Sequence, residues 1–268
     1  MTPLTSLQNP RVKDAVRLRE RGARDAAGRM LIEGYRETRR ALDNHIRPTC
    51  FFYCPELFQG GNEPELLRRA ADAGAELLEC SAPVFRKLSY RDRPDGLLAL
   101  APQWRRGLND LSLPENPLLL VMERIEKPGN LGTMLRTADA GGVDAVIVCD
   151  KCTDLFNPNV IRASIGTIFC VPTVEAATPE TLDWLRARGI QTIAATPSAT
   201  RAHTDVDWTR ASAIVVGAEQ YGLSDRWMKE TDAQVRIPMR GQCDSLNVAA
   251  AATILVYEAV RQRLAGKA

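Results

Sequence analysis

Short apolar runs alternate with amphipathic stretches along nearly the whole chain. In the amino-terminal part, Pro10 to Arg21 reads as a helix, followed by a short strand, RMLIEG, that begins at Arg29. A helix YRETRRALDN comes next, then a strand around TCFFYC, a helix near PELLRRAADAG and the strands AELLEC and GLLALA (96–101). This alternation predicts a small α/β layer domain.

The carboxyl-terminal part alternates more clearly. PLLLVMERI (117–125) is almost continuously apolar, the pattern of a strand buried on both faces. A glycine-bearing loop and helix follow it, then strand DAVIVCD, helix PETLDWLRARG, strands IQTIAAT, ASAIVVGAE and VRIPM, and a long final helix SLNVAAAATILVYEAVRQRL. Such an order predicts a parallel sheet covered on both sides, with ligands held in loops beyond the carboxyl ends of the strands. Between the two parts, APQWRRGLNDLSLPENP (Ala101 to Pro117) has no sustained apolar period and carries turn formers at both ends. The expected organisation is therefore a domain over 1–108, a linker over 109–116 and a second domain over 117–268.

Composition narrows the class. With 268 residues, 45% hydrophobic and 25% charged, the chain resembles ordinary soluble globular proteins. The longest uncharged apolar run, Val248 to Tyr257, is about half of what a membrane-spanning helix needs. The opening MTPLTSLQNPRVK has no apolar stretch like that of a secretory signal. Seven scattered cysteines point to reduced thiols in the cytoplasm rather than a disulfide framework. A net charge of +2 counts against nucleic-acid binding on its face, yet it is unevenly distributed. Residues 1–108 carry 19 Lys and Arg against 14 Asp and Glu, and the remainder 16 against 19. Residues 1–47 hold 11 basic side chains, ten of them Arg. Arginine forks suit phosphate oxygens, although a solvated Arg-rich helix has the same composition.

Three loops concentrate the unusual residues. In IEKPGNLGTMLRTADA (125–140), Pro128 and Gly129 turn the chain, Asn130 is placed to cap a helix, and Arg136 stands in an otherwise small or apolar turn. A capped helix with one snorkelling Arg accounts for the same pattern. In AIVVGAEQYGLSD (213–225), Glu219 lies just past a buried strand, as a site residue or as a cap. In IPMRGQCDSLNVAAAATILVYE (237–258), Ser245 or Asp244 can cap the final helix, and Asn247 in its first turn demands a polar partner if buried.

In order and spacing these three loops closely resemble the three motifs of the SpoU (TrmH-type) RNA ribose 2′-O-methyltransferases of the SPOUT superfamily. Segment 156–174 is similar to the family's connecting stretch, and the opening, from Ser6 to Leu42, resembles the substrate-binding domain that precedes the catalytic domain in many members. The resemblance implies a carboxyl-terminal trefoil knot, a homodimer, S-adenosylmethionine as methyl donor without a metal, and RNA as substrate, ribosomal RNA ahead of transfer RNA. It implies cofactor contacts from Ala195, Thr196, Gly217, Ile237 and Leu246. It makes Arg136 the catalytic residue, with Asn130, Glu219, Ser245 and Asn247 shaping the site. Glu219 is expected to hold Arg136 or Asn130 in place. Since a guanidinium stays protonated below about pH 12, Arg136 is expected to grip a phosphate and lower the pKa of the ribose hydroxyl rather than act as a base. Arg17, Arg21, Arg24, Arg36, Arg39 and Arg40 become candidates for RNA phosphates. Two rival functions are a non-catalytic RNA-binding relative and a methyltransferase acting on protein or a small molecule. The Cys149–Cys152 pair, without a second such pair and with only His45 and His203 in the chain, reads as core or loop thiols rather than a zinc site.

Overall fold

The computed structural model describes residues 2–266. In chain order the elements begin with α1 (Pro10–Arg17), α2 (Arg21–Ala27), β1 (Arg29–Glu33), α3 (Tyr35–Asp43), β2 (Cys50–Tyr53), α4 (Glu63–Asp72), β3 (Glu76–Glu79), α5 (Ala82–Leu88) and β4 (Leu97–Pro102). They continue with β5 (Leu118–Glu123), α6 (Pro128–Ala140), β6 (Ala145–Cys149), α7 (Pro158–Ala163), β7 (Thr173–Ala176) and α8 (Thr178–Ala187). The last are β8 (Gln191–Ala195), β9 (Ser212–Val216), α9 (Asp225–Glu230), β10 (Ala233–Val235) and α10 (Val248–Ala265). The chain divides into two units, one of residues 1–104 with 154–170, the other of residues 105–153 with 171–268.

The first unit is built on a four-stranded mixed sheet in the order β1-β4-β2-β3, in which only β2 and β3 run parallel. One side of its core gathers Val12, Leu18, Leu31, Phe52, Phe85 and Leu98. The helix expected from Pro10 to Arg21 breaks after Arg17, and a new one starts at Arg21. A break frees main-chain carbonyls that need donors. Arg24 supplies them: its Nη1 donates to the carbonyls of Leu18 (2.9 Å) and Arg19 (2.6 Å), while Nε and Nη2 donate to Asp154 Oδ2 at 3.2 and 2.5 Å. Arg24 is 2% exposed. Its assignment to RNA contact is therefore corrected: the guanidinium is sealed inside the unit, with its donors spent on protein. Arg40 is half-buried, and its Nη1 donates to the carbonyl of Ile165 at 2.6 Å. Arg17, Arg21, Arg36 and Arg39 are exposed.

The second unit carries a six-stranded, all-parallel sheet in the order β10-β8-β9-β5-β6-β7. Every residue of β5 is buried, as its continuous apolar run requires at the centre of such a sheet. Glu123 ends that strand wholly buried, and it accepts from Thr178 Oγ1 at 3.2 Å and the Ser224 amide at 2.7 Å. Leu119, Val121, Ile147, Val215, Leu185 and Trp227 belong to one core cluster. Helices α6 and α10 pack on one another, joined by a 2.9 Å hydrogen bond between Thr137 and Thr253. At the end of α6 the approach is so close that a Cβ on Gly141 would lie 2.3 Å from Val256 Cγ1. No helix among the described residues is long and apolar enough to cross a membrane.

Removing one partner of a buried ion pair leaves the other charge stranded. Arg24→Ala should lower the unfolding free energy by about 3–5 kcal/mol, read from urea denaturation of the full chain. A loss below about 1 kcal/mol, the worth of an exposed pair, would contradict this placement.

Candidate active site

Chain order reverses at the middle of the parallel sheet. The polypeptide leaves β5 toward β6 and β7 on one side, whereas β9 and β8 flank it on the other. Loops that follow β5 and β9 therefore part company, opening a crevice at their carboxyl ends. On the β9 side of that point, beyond the carboxyl ends of β8, β9 and β10, lies a cavity of about 300 Å³, within the size range of small-molecule sites. Ala195 at the end of β8 with Thr196 just after it, Gly217 after β9, Ile237 after β10 and Leu246 before α10 all line it, as do Glu219, Asp244 and Ser245. Gly217 is required by its neighbours, since a Cβ there would lie 2.5 Å from the backbone of Gly222.

At the rim, one carboxylate joins three segments. Glu219 Oε1 accepts from Asn130 Nδ2 at 2.9 Å and from Asn247 Nδ2 at 2.6 Å, and Lys127 Nζ donates to Oε2. Asn247 Nδ2 also reaches Asn130 Oδ1 at 3.1 Å. Lys127 and Asn130 come from the β5–α6 loop and the first turn of α6, Glu219 from the loop after β9, and Asn247 from the start of α10. The Glu219 carboxyl is held below its ordinary pKa, first by the hydrogen bond from Lys127, and the Lys127 ammonium is raised in return. A carboxylate with a depressed pKa contributes its stabilisation above its ordinary range and loses it only as pH falls through the depressed value.

Two local expectations are corrected here. Helix α6 starts at Pro128 with Lys127 as N-cap, so Asn130 lies inside its first turn and leaves its side chain free for Glu219. Helix α10 starts at Val248 and is capped by Asn247, whose Oδ1 accepts from the amides of Ala249 (3.0 Å) and Ala250 (3.4 Å), not by Ser245 or Asp244. Asn247 thus spends its oxygen on the helix and its amide on Glu219 and Asn130.

Arg136 is not in the cavity wall. It stands on the exposed stripe of α6 with Gly129, Thr133 and Ala140, six residues and about 9 Å along the axis from Asn130. It has no hydrogen-bond or ion-pair partner among the described residues, so Glu219 anchors Asn130 and not Arg136. Lys127 is a member of the network that reading the sequence did not single out. Its position beside Pro128 was visible, but its partner lies 92 residues away. Cys149 is buried at the end of β6, where burial pushes its thiol up to about 12, while Cys152 is exposed. No group of three or more His, Cys, Asp or Glu able to hold a metal ion occurs among the described residues.

Comparison with known proteins bears on this arrangement. Residues 117–257, which contain the parallel sheet from β5 onward and all four members of the network, match the SpoU rRNA Methylase family. The chain belongs to the SpoU rRNA methylase family. Residues 9–99 match the MRM3-like substrate binding domain. A crystal structure of an RNA 2′-O ribose methyltransferase is 44% identical, with a TM-score of 0.84 over 98% of this chain and 100% of that one. An AdoMet-bound rRNA methyltransferase from Sinorhizobium meliloti is 31% identical, with a TM-score of 0.89 over 97% of each chain. The 23S rRNA (uridine(2479)-2′-O)-methyltransferase of Streptomyces viridochromogenes is 31% identical over 93% of this chain and 88% of its own length.

Asn247→Asp preserves a capping oxygen but removes the amide donor and places a second carboxylate beside Glu219. The Glu219 titration, followed by carbon NMR, should move upward in that variant, with a loss of about 1 kcal/mol in stability. An unmoved Glu219 pKa would show that the three side chains are neighbours without coupling.

Proposed function

We propose that this protein transfers the methyl group of S-adenosylmethionine to a ribose 2′-hydroxyl of ribosomal RNA. The observation that carries the reading is the cavity beyond the carboxyl ends of β8, β9 and β10. It is walled by Ala195, Thr196, Gly217, Ile237 and Leu246, and closed at the rim by Asn130, Glu219 and Asn247, in a chain similar throughout to an AdoMet-bound rRNA methyltransferase.

The residues present fit the cofactor. Val216, Ile237 and Leu246 give apolar walls suited to a flat adenine. Thr196 and Ser245 bring hydroxyls, and Glu219 a carboxylate, for the polar remainder and the cationic sulfonium. When bound, S-adenosylmethionine supplies an electrophilic methyl carbon. The protein's task is then to bring the ribose oxygen in line with that carbon and to ease the loss of its proton, so positioning and electrostatics make up most of the catalysis. Arg136, unpaired and exposed, is free to hold a phosphate of the RNA, and its charge lowers the pKa of the adjacent hydroxyl. It is not the base, because a guanidinium carries its proton throughout the neutral range. Glu219 fixes Asn130 and Asn247, and through them the first turns of α6 and α10, so that Ser245 and Leu246 keep their places in the wall.

The basic unit reads the substrate. Arg17, Arg21, Arg36 and Arg39 are its exposed candidates for phosphate contact. In this reading residues 1–108, joined in the first unit by segment 154–170, form the RNA-binding domain and the rest of 117–268 the catalytic one, with 109–116 as linker. The catalytic domain takes the SPOUT trefoil knot, which suits the close backbone approach at Gly217 and Gly222. The enzyme works in the cytoplasm as a homodimer. Support for pairing comes from α10, where Ala250, Ile254, Tyr257, Arg261 and Leu264 share an exposed face, with Tyr257 48% and Leu264 64% exposed.

Arg136→Ala should reduce single-turnover methylation of unmodified ribosomal RNA by at least about 100-fold, with S-adenosylmethionine affinity, measured by calorimetry, changed less than about twofold. Near-normal turnover in that variant would remove Arg136 from the mechanism.

A further inference from the structure

A second cavity, of about 500 Å³, opens within the first unit, and the mechanism above makes no use of it. Its wall combines Arg36 and Glu37 of α3, Glu63 of α4, Arg91 and Asp95 of the loop before β4, and Arg162 of α7. Acidic and basic side chains are equal in number here, yet they are sorted by depth. Glu37 and Glu63 are buried, whereas Arg36 and Arg162 are exposed.

Two carboxylate oxygens of the floor have no hydrogen-bond partner among the described residues. Glu63 is 4% exposed, and its Oε1 is taken up by the amides of Gln59 (3.1 Å) and Gly60 (2.7 Å), but its buried Oε2 has no partner. Asp95 repeats the pattern: Oδ2 accepts from the Tyr35 amide at 3.1 Å, and the buried Oδ1 has none. Arg91 makes no hydrogen bond to either oxygen: its Nη2 is committed to Glu37 Oε1 and the Glu33 carbonyl, each at 2.7 Å, and its Nη1 is 3.7 Å from Asp95 Oδ2 as an ion pair, while its buried Nε has no acceptor among the described residues. Burial drives the Glu37 carboxyl above its ordinary pKa, with Arg91 opposing the rise. Leaving buried carboxylate oxygens unpaired is costly, so such a floor is suited to a ligand that brings N–H groups.

We infer that this cavity receives a guanine nucleotide of the RNA substrate, extruded from its stack. The base would donate its N1–H and N2–H groups to Glu63 Oε2 and Asp95 Oδ1, with phosphates on Arg36 and Arg162. Guanine presents two neighbouring donor groups on one edge, where each of the other RNA bases presents one. Tyr35 and Ile165, which also line the cavity, offer surfaces for the ring. Equal numbers of acidic and basic side chains disfavour a simple cation, and the exposed arginines match a ligand with a neutral donor edge and an anionic backbone. Ile165 holds a left-handed backbone (φ 54°), unusual for a β-branched residue, and its carbonyl is fastened by Arg40, so this wall is fixed in place.

The inference rests on the reading of the protein as acting on RNA, and the test separates the two. Fluorescein-labelled UUGUU, UUIUU and UUAUU are titrated into the full chain at low salt and followed by anisotropy. Inosine differs from guanosine only in lacking the N2 amino group. The wild type should bind UUGUU about tenfold more tightly than either other probe, the discrimination expected of one specific base contact. Glu63→Gln retains a carbonyl for the Gln59 and Gly60 amides but loses the free anionic acceptor, and it should erase the difference. Asp95→Asn should do the same, which guards against misfolding of the first variant, and Arg36→Ala should weaken all three probes alike. Equal binding of the three probes by a wild type that still methylates ribosomal RNA would overturn the guanine pocket and leave the methyltransferase reading standing. Guanine discrimination in a protein that methylates no RNA would sustain the pocket and sink that reading.

Discussion

The second unit depends on the carboxylate of Glu219 finding donors from two other segments. A parallel sheet whose chain order reverses at its centre opens a crevice and does nothing by itself to fix the loops around it. Glu219 fastens those loops through Lys127, Asn130 and Asn247. Because Asn247 also caps α10, the same bonds set where the final helix begins, and so where Ser245 and Leu246 stand in the cavity wall. The depressed pKa of Glu219 is the electrostatic sign of that work: the donors around it favour the charged form.

The first unit uses a buried charge differently. Arg24 and Asp154, 130 residues apart in the chain, close the break between α1 and α2 and bind segment 154–170 to the sheet that precedes it. The same segment carries Arg162 and Ile165 to the second cavity. One arginine is thus consumed in holding the unit together, while its exposed neighbours remain available for phosphate. The division of charge between the two parts of the chain, invisible in a net +2, matches the proposed division between a surface for RNA and a crevice for a small cofactor.

Much of this was legible in the amino-acid sequence, and the failures have identifiable causes. The apolar runs at β5, β6, β8 and β9 announced a buried parallel sheet because strands covered on both faces leave no polar alternation. Strand β7 was missed, since Val171 and Pro172 precede a stretch of four residues with little pattern of its own. All five positions that the family resemblance implies for the cofactor line one cavity, a grouping for which periodicity and composition gave no sign. Cap positions were misread because Asp244, Ser245 and Asn247 are all good capping residues, and only the tertiary partner of Asn247 decides among them. Arg24 could not be told from its exposed neighbours by composition, as the carboxylate that buries it lies far away in the chain.

A methyl-transfer site built on the Glu219 network and acting on ribosomal RNA is open to direct test. The direct measurement is a map of 2′-O-methylated riboses in ribosomal RNA from cells lacking this gene, complemented with the wild type or with Glu219→Ala. At least one ribose should lose its methyl group on deletion, regain it with the wild type and fail to regain it with Glu219→Ala. An unchanged map on deletion, or full restoration by Glu219→Ala, would contradict it.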